Sequence, residues 1–168
     1  MVMHFIRHNR IVAVLFTLLR IYIGFKWVTA GFGKISSGGF DAGGFIQMAA
    51  ESPTVPGWWA AFLETVALPN QALFSFMVMW GELLVGIALI AGLFTNFAAL
   101  MGVTMNLSFL FSGSGLVDAQ MAVITVFIVI AGMNAGRIGL DRWVVPFLRD
   151  RIWRRLRGKD NKDCVAIV

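Results

Sequence analysis

The chain has 168 residues, of which 58% are hydrophobic and 14% charged, with a formal net charge of +5. A water-soluble core of this size needs charges along every helix, yet the stretch from Ile11 to Gly136 holds only Arg20, Lys26, Lys34, Asp41, Glu51, Glu64, Glu82 and Asp118. That excludes an ordinary soluble domain and points to lipid as the outer solvent, with the flanking basic residues read as juxtamembrane anchors and not as a nucleic-acid surface.

The two histidines, His4 and His8, precede the first apolar stretch, and the lone cysteine, Cys164, sits in the polar tail. The sequence therefore offers no haem or zinc ligands within the membrane, and no disulfide or Cys-x-x-Cys centre.

The first predicted span runs from Ile11 to Phe32. The competing reading is a signal peptide, whose apolar region is an uninterrupted run of about 7–15 residues. Arg20 interrupts this one and the apolar pattern resumes beyond it, which favours a retained span. Gly31-Phe32-Gly33-Lys34 echoes the end of a phosphate-binding loop, but no upstream glycine or strand accompanies it. It reads as a flexible exit with Lys34 at the headgroups.

Residues 35–70 then form a long loop. Gly38-Gly39, Gly43-Gly44, Pro53, Pro56 and Pro69 punctuate it. Trp58, Trp59, Phe62, Leu63 and Val66 recur at helical spacing, which predicts a short helix lying on the membrane surface. It serves as an anchor or as a lid over a pocket.

The second span is predicted over Gln71–Gly92, the third over Phe94–Phe111 and the fourth over Leu116–Ala135, with short connections that make them antiparallel neighbours. Residues 1–136 thus form a transmembrane domain, and 137–168 a basic tail. Within the tail, residues 140–157 place Leu140, Trp143, Val144, Phe147, Leu148, Ile152 and Leu156 on one stripe and arginines opposite. That predicts an amphipathic helix drawn to anionic lipid headgroups, with Pro146 kinking it or ending its first part. Lys and Arg crowd both termini, whereas the 35–70 loop is acidic, so both termini are expected in the cytoplasm. The expected fold is an all-α integral membrane protein, a four-helix bundle with one interfacial helix on each side. Its place is the cell membrane.

Charges inside spans are costly and by default functional. At about 1.5 Å per residue, Arg20 lies roughly 14 Å into the first span and Glu82 roughly 16 Å into the second. The expectation is an Arg20–Glu82 ion pair, which either fixes helix register or lines a site. Lys26 either snorkels to the outer interface or faces the bundle beside Asn106. Together Arg20, Lys26, Glu82 and Asn106 would line a polar cavity open to the outside, rimmed by Asp118 and Gln120. Ala98, Gly102 and Asn106 recur every four residues on one face of the third span, which places Asn106 against a neighbouring helix.

Arg20 and Gly24, then Ala30-Gly31-Phe32-Gly33-Lys34-Ile35, Trp80-Gly81-Glu82-Leu83-Leu84-Val85-Gly86 and Ala91-Gly92-Leu93-Phe94-Thr95-Asn96 carry a resemblance to the DoxX/DoxD-type small membrane proteins. The family often has Thr-Arg where this chain has Thr95-Asn96. The family name comes from a thiosulfate:quinone oxidoreductase subunit. The resemblance therefore implies quinone as cofactor, a small sulfur anion as electron donor, and a partner subunit or homo-oligomer. On that reading Arg20 and Lys26 attract the anion, and Tyr22 or Glu82 carries protons. The alternative is a non-enzymatic membrane module that binds or passes a small ligand or scaffolds a partner.

Overall fold

The computed structural model describes residues 9–114, 119–136, 138–149 and 151. The predicted rim residue Asp118, Arg137 and the tail beyond residue 151, with Cys164, lie outside that set. All regular elements among the described residues are helical. They are α1 (Arg10–Ser36), α2 (Ala42–Ala50), α3 (Gly57–Phe62), α4 (Gln71–Ala91), α5 (Thr95–Phe111), α6 (Ala119–Ala131) and α7 (Met133–Gly136). A last helix, α8, covers residues 141–149. Two helical runs, Arg10–Ser36 and Gly57–Ala91, are long and apolar enough to cross a membrane, and Thr95–Phe111 and Gln120–Ala131 are shorter apolar helices.

Helix α1 starts at Asn9, whose side chain accepts from the Ile11 N–H at 2.8 Å and so satisfies a first-turn donor. It then runs unbroken to Ser36, so Gly31 to Lys34 form its last turns and not a flexible exit. Neither Gly31 nor Gly33 interrupts it: Gly31 is packed against α4, and a single exposed glycine such as Gly33 costs a helix only about 1 kcal/mol.

The α1–α4 seam is set by glycines. A Cβ on Gly24 would lie 2.9 Å from the Gly86 carbonyl oxygen, and one on Gly31 would lie 2.6 Å from Leu83 N. A Cβ on Gly86 would lie 2.6 Å from Val28 N. Small residues at these points let two backbones touch, the device that joins helices where lipid offers no hydrophobic drive. This contact fixes the antiparallel register. Arg20 falls level with Gly92, where α4 ends, and Gly31 falls level with Glu82.

The predicted surface helix is continuous with the second apolar helix. From α3 the chain passes through a π-turn, Leu63–Ala67, and a 3₁₀ turn, Leu68–Asn70, directly into α4. Pro69 does not break the run because it sits in the first turn of the 3₁₀ segment, where its missing N–H is tolerated. The Asn70 side-chain amide donates to the Val66 carbonyl at 2.8 Å, satisfying an acceptor exposed by the irregularity.

Helices α1, α4, α5 and α6 close a ring, each touching the next. Ile23, Trp27, Leu89, Ala99 and Ile128 fill its centre. A second apolar cluster ties Ala42, Ile46 and Ala49 of α2 to Leu63 and Ala67. Outside the ring, Leu18, Phe25, Leu84, Phe97 and Phe127 are exposed. Exposed apolar side chains on this scale suit a lipid surrounding, in keeping with the two helical runs long and apolar enough to cross a membrane.

Candidate functional site

Three arrangements of polar or hollow character emerge from this fold. The first is at the loop end of the bundle, where α1 finishes and α4 begins. Gly31 lets α4 approach, and Lys34, one turn further along α1, is thereby brought over Glu82. Lys34 Nζ meets Glu82 Oε2 at 2.6 Å, with the carboxylate side chain 3% exposed and the lysine 27%. The ammonium also stands 5.6 Å from the centre of the Phe40 ring. A buried carboxylate is thus paired with a cation that keeps access to the loop end.

The second arrangement is at the tail end, where α1 begins. Arg20 is 2% exposed. Its Nη1 donates to the Ala135 carbonyl at 3.0 Å and its Nη2 to the Ile138 carbonyl at 2.9 Å. These are carbonyls at the C-terminal end of α7 and just beyond it, which no helical N–H reaches. The guanidinium fits because two glycines make room for it. A Cβ on Gly92 would lie 2.5 Å from Arg20 Nη1, and one on Gly139 2.9 Å from the same atom. Gly92 also holds φ +67°, which an L side chain rarely adopts.

Asp141 completes this clasp. Its N–H donates to the Gly92 carbonyl at 2.8 Å. Its carboxylate accepts from Phe94 N at 2.6 Å and Thr95 N at 2.9 Å, capping α5 from a distant part of the chain. Phe94 has φ +48°, a left-handed conformation costing a non-glycine residue roughly 1–2 kcal/mol. The charge-assisted bond from its N–H offsets that strain.

The third arrangement is a groove of about 560 Å³ between α4 and α5. Met77, Val78, Gly81, Leu84, Val85 and Ala88 supply one wall, a stripe of helical period on α4. Ala98, Met101, Thr104, Met105 and Ser108 supply the other. Phe40, Phe45, Trp59 and Phe62 close the loop end, and Leu93 and Phe94 the tail end. Its few polar atoms are already engaged: Ser108 Oγ donates to the Thr104 carbonyl at 2.9 Å, and Trp59 Nε1 to Ser112 Oγ at 2.9 Å. Methionines on both walls give the groove an adaptable lining.

The candidate residues from the sequence are therefore distributed, not gathered. Arg20 and Glu82 do not pair; they stand about three turns, roughly 16 Å, apart along the α1–α4 seam. The equal-depth estimate assumed that both helices enter the membrane at the ends of their apolar runs. The glycine seam instead sets α1 so that its first turns reach beyond the end of α4. Lys26 lies on the exposed face of α1, its ammonium 5.9 Å from the ring centre of Tyr22, which is also exposed. Asn106 is buried, as the small-residue face implied, and its Nδ2 has no partner. Trp27 Nε1 is likewise buried without a partner. Gln120 is exposed.

Lys34 was expected at the headgroups and not beside Glu82, and Gly139 and Asp141 were not singled out from sequence. Asp141 does carry a signal, since Asp before an amphipathic stretch is a helix-start residue. Its reach to α5 is a tertiary feature. Pro146, expected to kink or end α8, lies within it, and the helix continues to residue 149. Pro146 is exposed, as is Arg142, whose carbonyl the proline leaves without its helical donor. Solvent can satisfy that group, so the helix need not stop.

Comparison with known proteins gives one family. The family model described as DoxX matches residues 15–115, which takes in Arg20, Glu82, the Gly92 turn and both walls of the groove. No curated relative and no solved structure matches the chain.

Proposed function

The chain belongs to the DoxX family, and on that premise we propose that this membrane protein is a four-span quinone-binding subunit of an oxidoreductase, with the groove between α4 and α5 as its quinone site. The groove carries the reading. Its volume lies within the range of small-molecule sites, about 300–1,000 Å³, and its walls are nearly all apolar, as an isoprenoid tail requires. Phe40, Phe45, Trp59 and Phe62 offer an aromatic end for a flat ring. When bound, quinone supplies two-electron, two-proton acceptance. Lys34, 5.6 Å from the centre of the Phe40 ring and paired with Glu82, supplies an exchangeable proton near that end of the groove.

The sulfur-anion step of this reading belongs to a partner subunit. Arg20 is occupied by backbone carbonyls, and Lys26 and Tyr22 face outward. Gly81 offers the test of the groove. A Cβ there would meet only the end of the Met105 side chain, at 3.4 Å, so a large side chain projects into the hollow without striking backbone. Gly81→Phe is expected to abolish quinone co-purification, read by solvent extraction and chromatography, while the bundle stays folded. Wild-type protein carrying lipid but no quinone would favour the non-enzymatic ligand-binding module instead.

In the proposed topology α1, α4, α5 and α6 cross the membrane, both termini are cytoplasmic, and residues 37–70 lie outside. Arg7, Arg10, Arg142, Arg149 and Arg151 then all sit at the cytoplasmic side, as the positive-inside rule favours. The single Cys164 simplifies the check. In intact cells a membrane-impermeant maleimide should label Ser52→Cys in a Cys164→Ser background. Cys164 of the native chain should label only after lysis. The reverse pattern would invert the topology.

A further inference from the structure

The tail end of the bundle contains a second hollow, distinct from the groove and unused by the function proposed above. It measures about 1090 Å³ and lies between α8, the first turns of α1 and the start of α5. Helix α8 turns Arg142, Val145, Pro146 and Arg149 toward it, positions spaced as one face of a helix. Arg10 stands on the α1 wall. Among the described charged residues lining this cleft, three are arginines and one is acidic. That one, Asp141, already holds the Phe94 and Thr95 N–H groups.

The α5 wall adds to the positive potential. A helix leaves its first N–H groups without internal partners and carries partial positive charge there. Asp141 takes those of Phe94 and Thr95, and the next two residues, Asn96 and Phe97, also line the cleft. Thr95, 1% exposed, belongs to the same wall, and its Oγ1 has no partner. A buried hydroxyl without a partner is uncommon and calls for one.

Apart from Asn134, whose Nδ2 donates to the Asn9 carbonyl at 3.1 Å, the other side chains of the wall are apolar. Val14, Phe97 and Val145 line the cleft. Beyond it the exposed residues Ile11 and Leu18 of α1 and Leu100 of α5 continue along the helices. On the opposite side of α8, Trp143 and Phe147 are 72% and 61% exposed. Such a stripe suits a helix lying at the membrane surface, with its aromatics among lipid. A cationic chamber that opens onto an apolar helix face matches one kind of molecule: an anionic headgroup joined to acyl chains.

The geometry points to a binding site for one anionic phospholipid, its phosphate held among Arg10, Arg142 and Arg149 and its chains lying along α1 and α5. This goes beyond attraction of a basic tail to a charged membrane, because it assigns the headgroup a walled position. Bidentate guanidinium contacts to phosphate supply the specificity.

The test is native mass spectrometry of the purified full-length protein in detergent, titrated with phosphatidylglycerol, phosphatidylcholine or sn-glycerol 3-phosphate. One phosphatidylglycerol is expected to be retained, and phosphatidylcholine much more weakly. Hydrogen bonds to charged groups are worth about 1.5–3 kcal/mol, so Arg142→Gln with Arg149→Gln should weaken retention at least about tenfold. Arg151→Gln removes the same charge from a side chain stacked 5.2 Å over Phe147 and not lining the cleft, and should change retention less than about twofold. Equal retention of phosphatidylcholine, or equal loss in Arg151→Gln, would overturn the site. Equal binding of glycerol phosphate would overturn the lipid as its occupant. The assay contains no quinone, so either result stands apart from the fate of the groove.

Discussion

Arg20→Ala lowers the stability of the purified protein by about 2–4 kcal/mol, the cost of leaving one buried and one partly buried carbonyl without a donor. The cause is what the substitution leaves behind. The Ala135 carbonyl loses its donor in a buried contact and the Ile138 carbonyl in a partly buried one, and a fully orphaned acceptor costs roughly 1–3 kcal/mol. Denaturant unfolding of the full chain in detergent measures the loss. Arg20→Lys should recover only part of it, since a single ammonium does not reproduce a planar fork that reaches two carbonyls at once. Gly92→Ala should resemble Arg20→Ala, because the new methyl group occupies the guanidinium's position and demands a left-handed backbone. The protein that remains folded in Arg20→Ala should keep its quinone, since the clasp and the groove are separate. Unchanged stability with lost quinone would restore Arg20 to the ligand site.

This result also separates what the sequence could reveal from what it could not. Apolar runs and their scarce charges announced a helical membrane protein. The Gly-Glu and Gly-Lys segments announced the family, because local motifs are readable one residue at a time. The spacing Ala98, Gly102, Asn106 likewise placed Asn106 on a packed face, and it is buried there. The pairing of charges was not legible. It depends on the axial offset between α1 and α4, which is decided where Gly24, Gly31 and Gly86 meet backbone, and not where the apolar runs begin and end. Glu82 consequently finds Lys34, a residue expected at the headgroups in a flexible exit of the first span. Arg20 finds carbonyls, which no pattern of side chains announces. The groove was equally hidden, since its two walls come from separate helices and each reads as an ordinary apolar stripe.

The same seam yields the second large effect. Gly86→Ala puts a methyl carbon 2.6 Å from Val28 N and 2.7 Å from the Gly24 carbonyl oxygen; Gly31→Ala puts one 2.6 Å from Leu83 N. These neighbours are backbone and cannot swing aside as a side chain does, so α1 and α4 must separate. Overpacking typically costs about 1–3 kcal/mol, and contact with backbone places both variants at the upper end. Gly33 supplies the control within the same helix, because a Cβ there meets nothing within 4 Å. Gly33→Ala should be neutral or stabilising by up to about 1 kcal/mol, the gain in helix propensity. Gly31→Ala has a further consequence, since the separation also draws Glu82 away from Lys34. Lys34→Gln should therefore cost less in the Gly31→Ala background than in the native chain, a coupling that a double-mutant cycle reads directly. Equal costs in both backgrounds would mean that the ion pair forms independently of the seam, and that Gly31 does not position it.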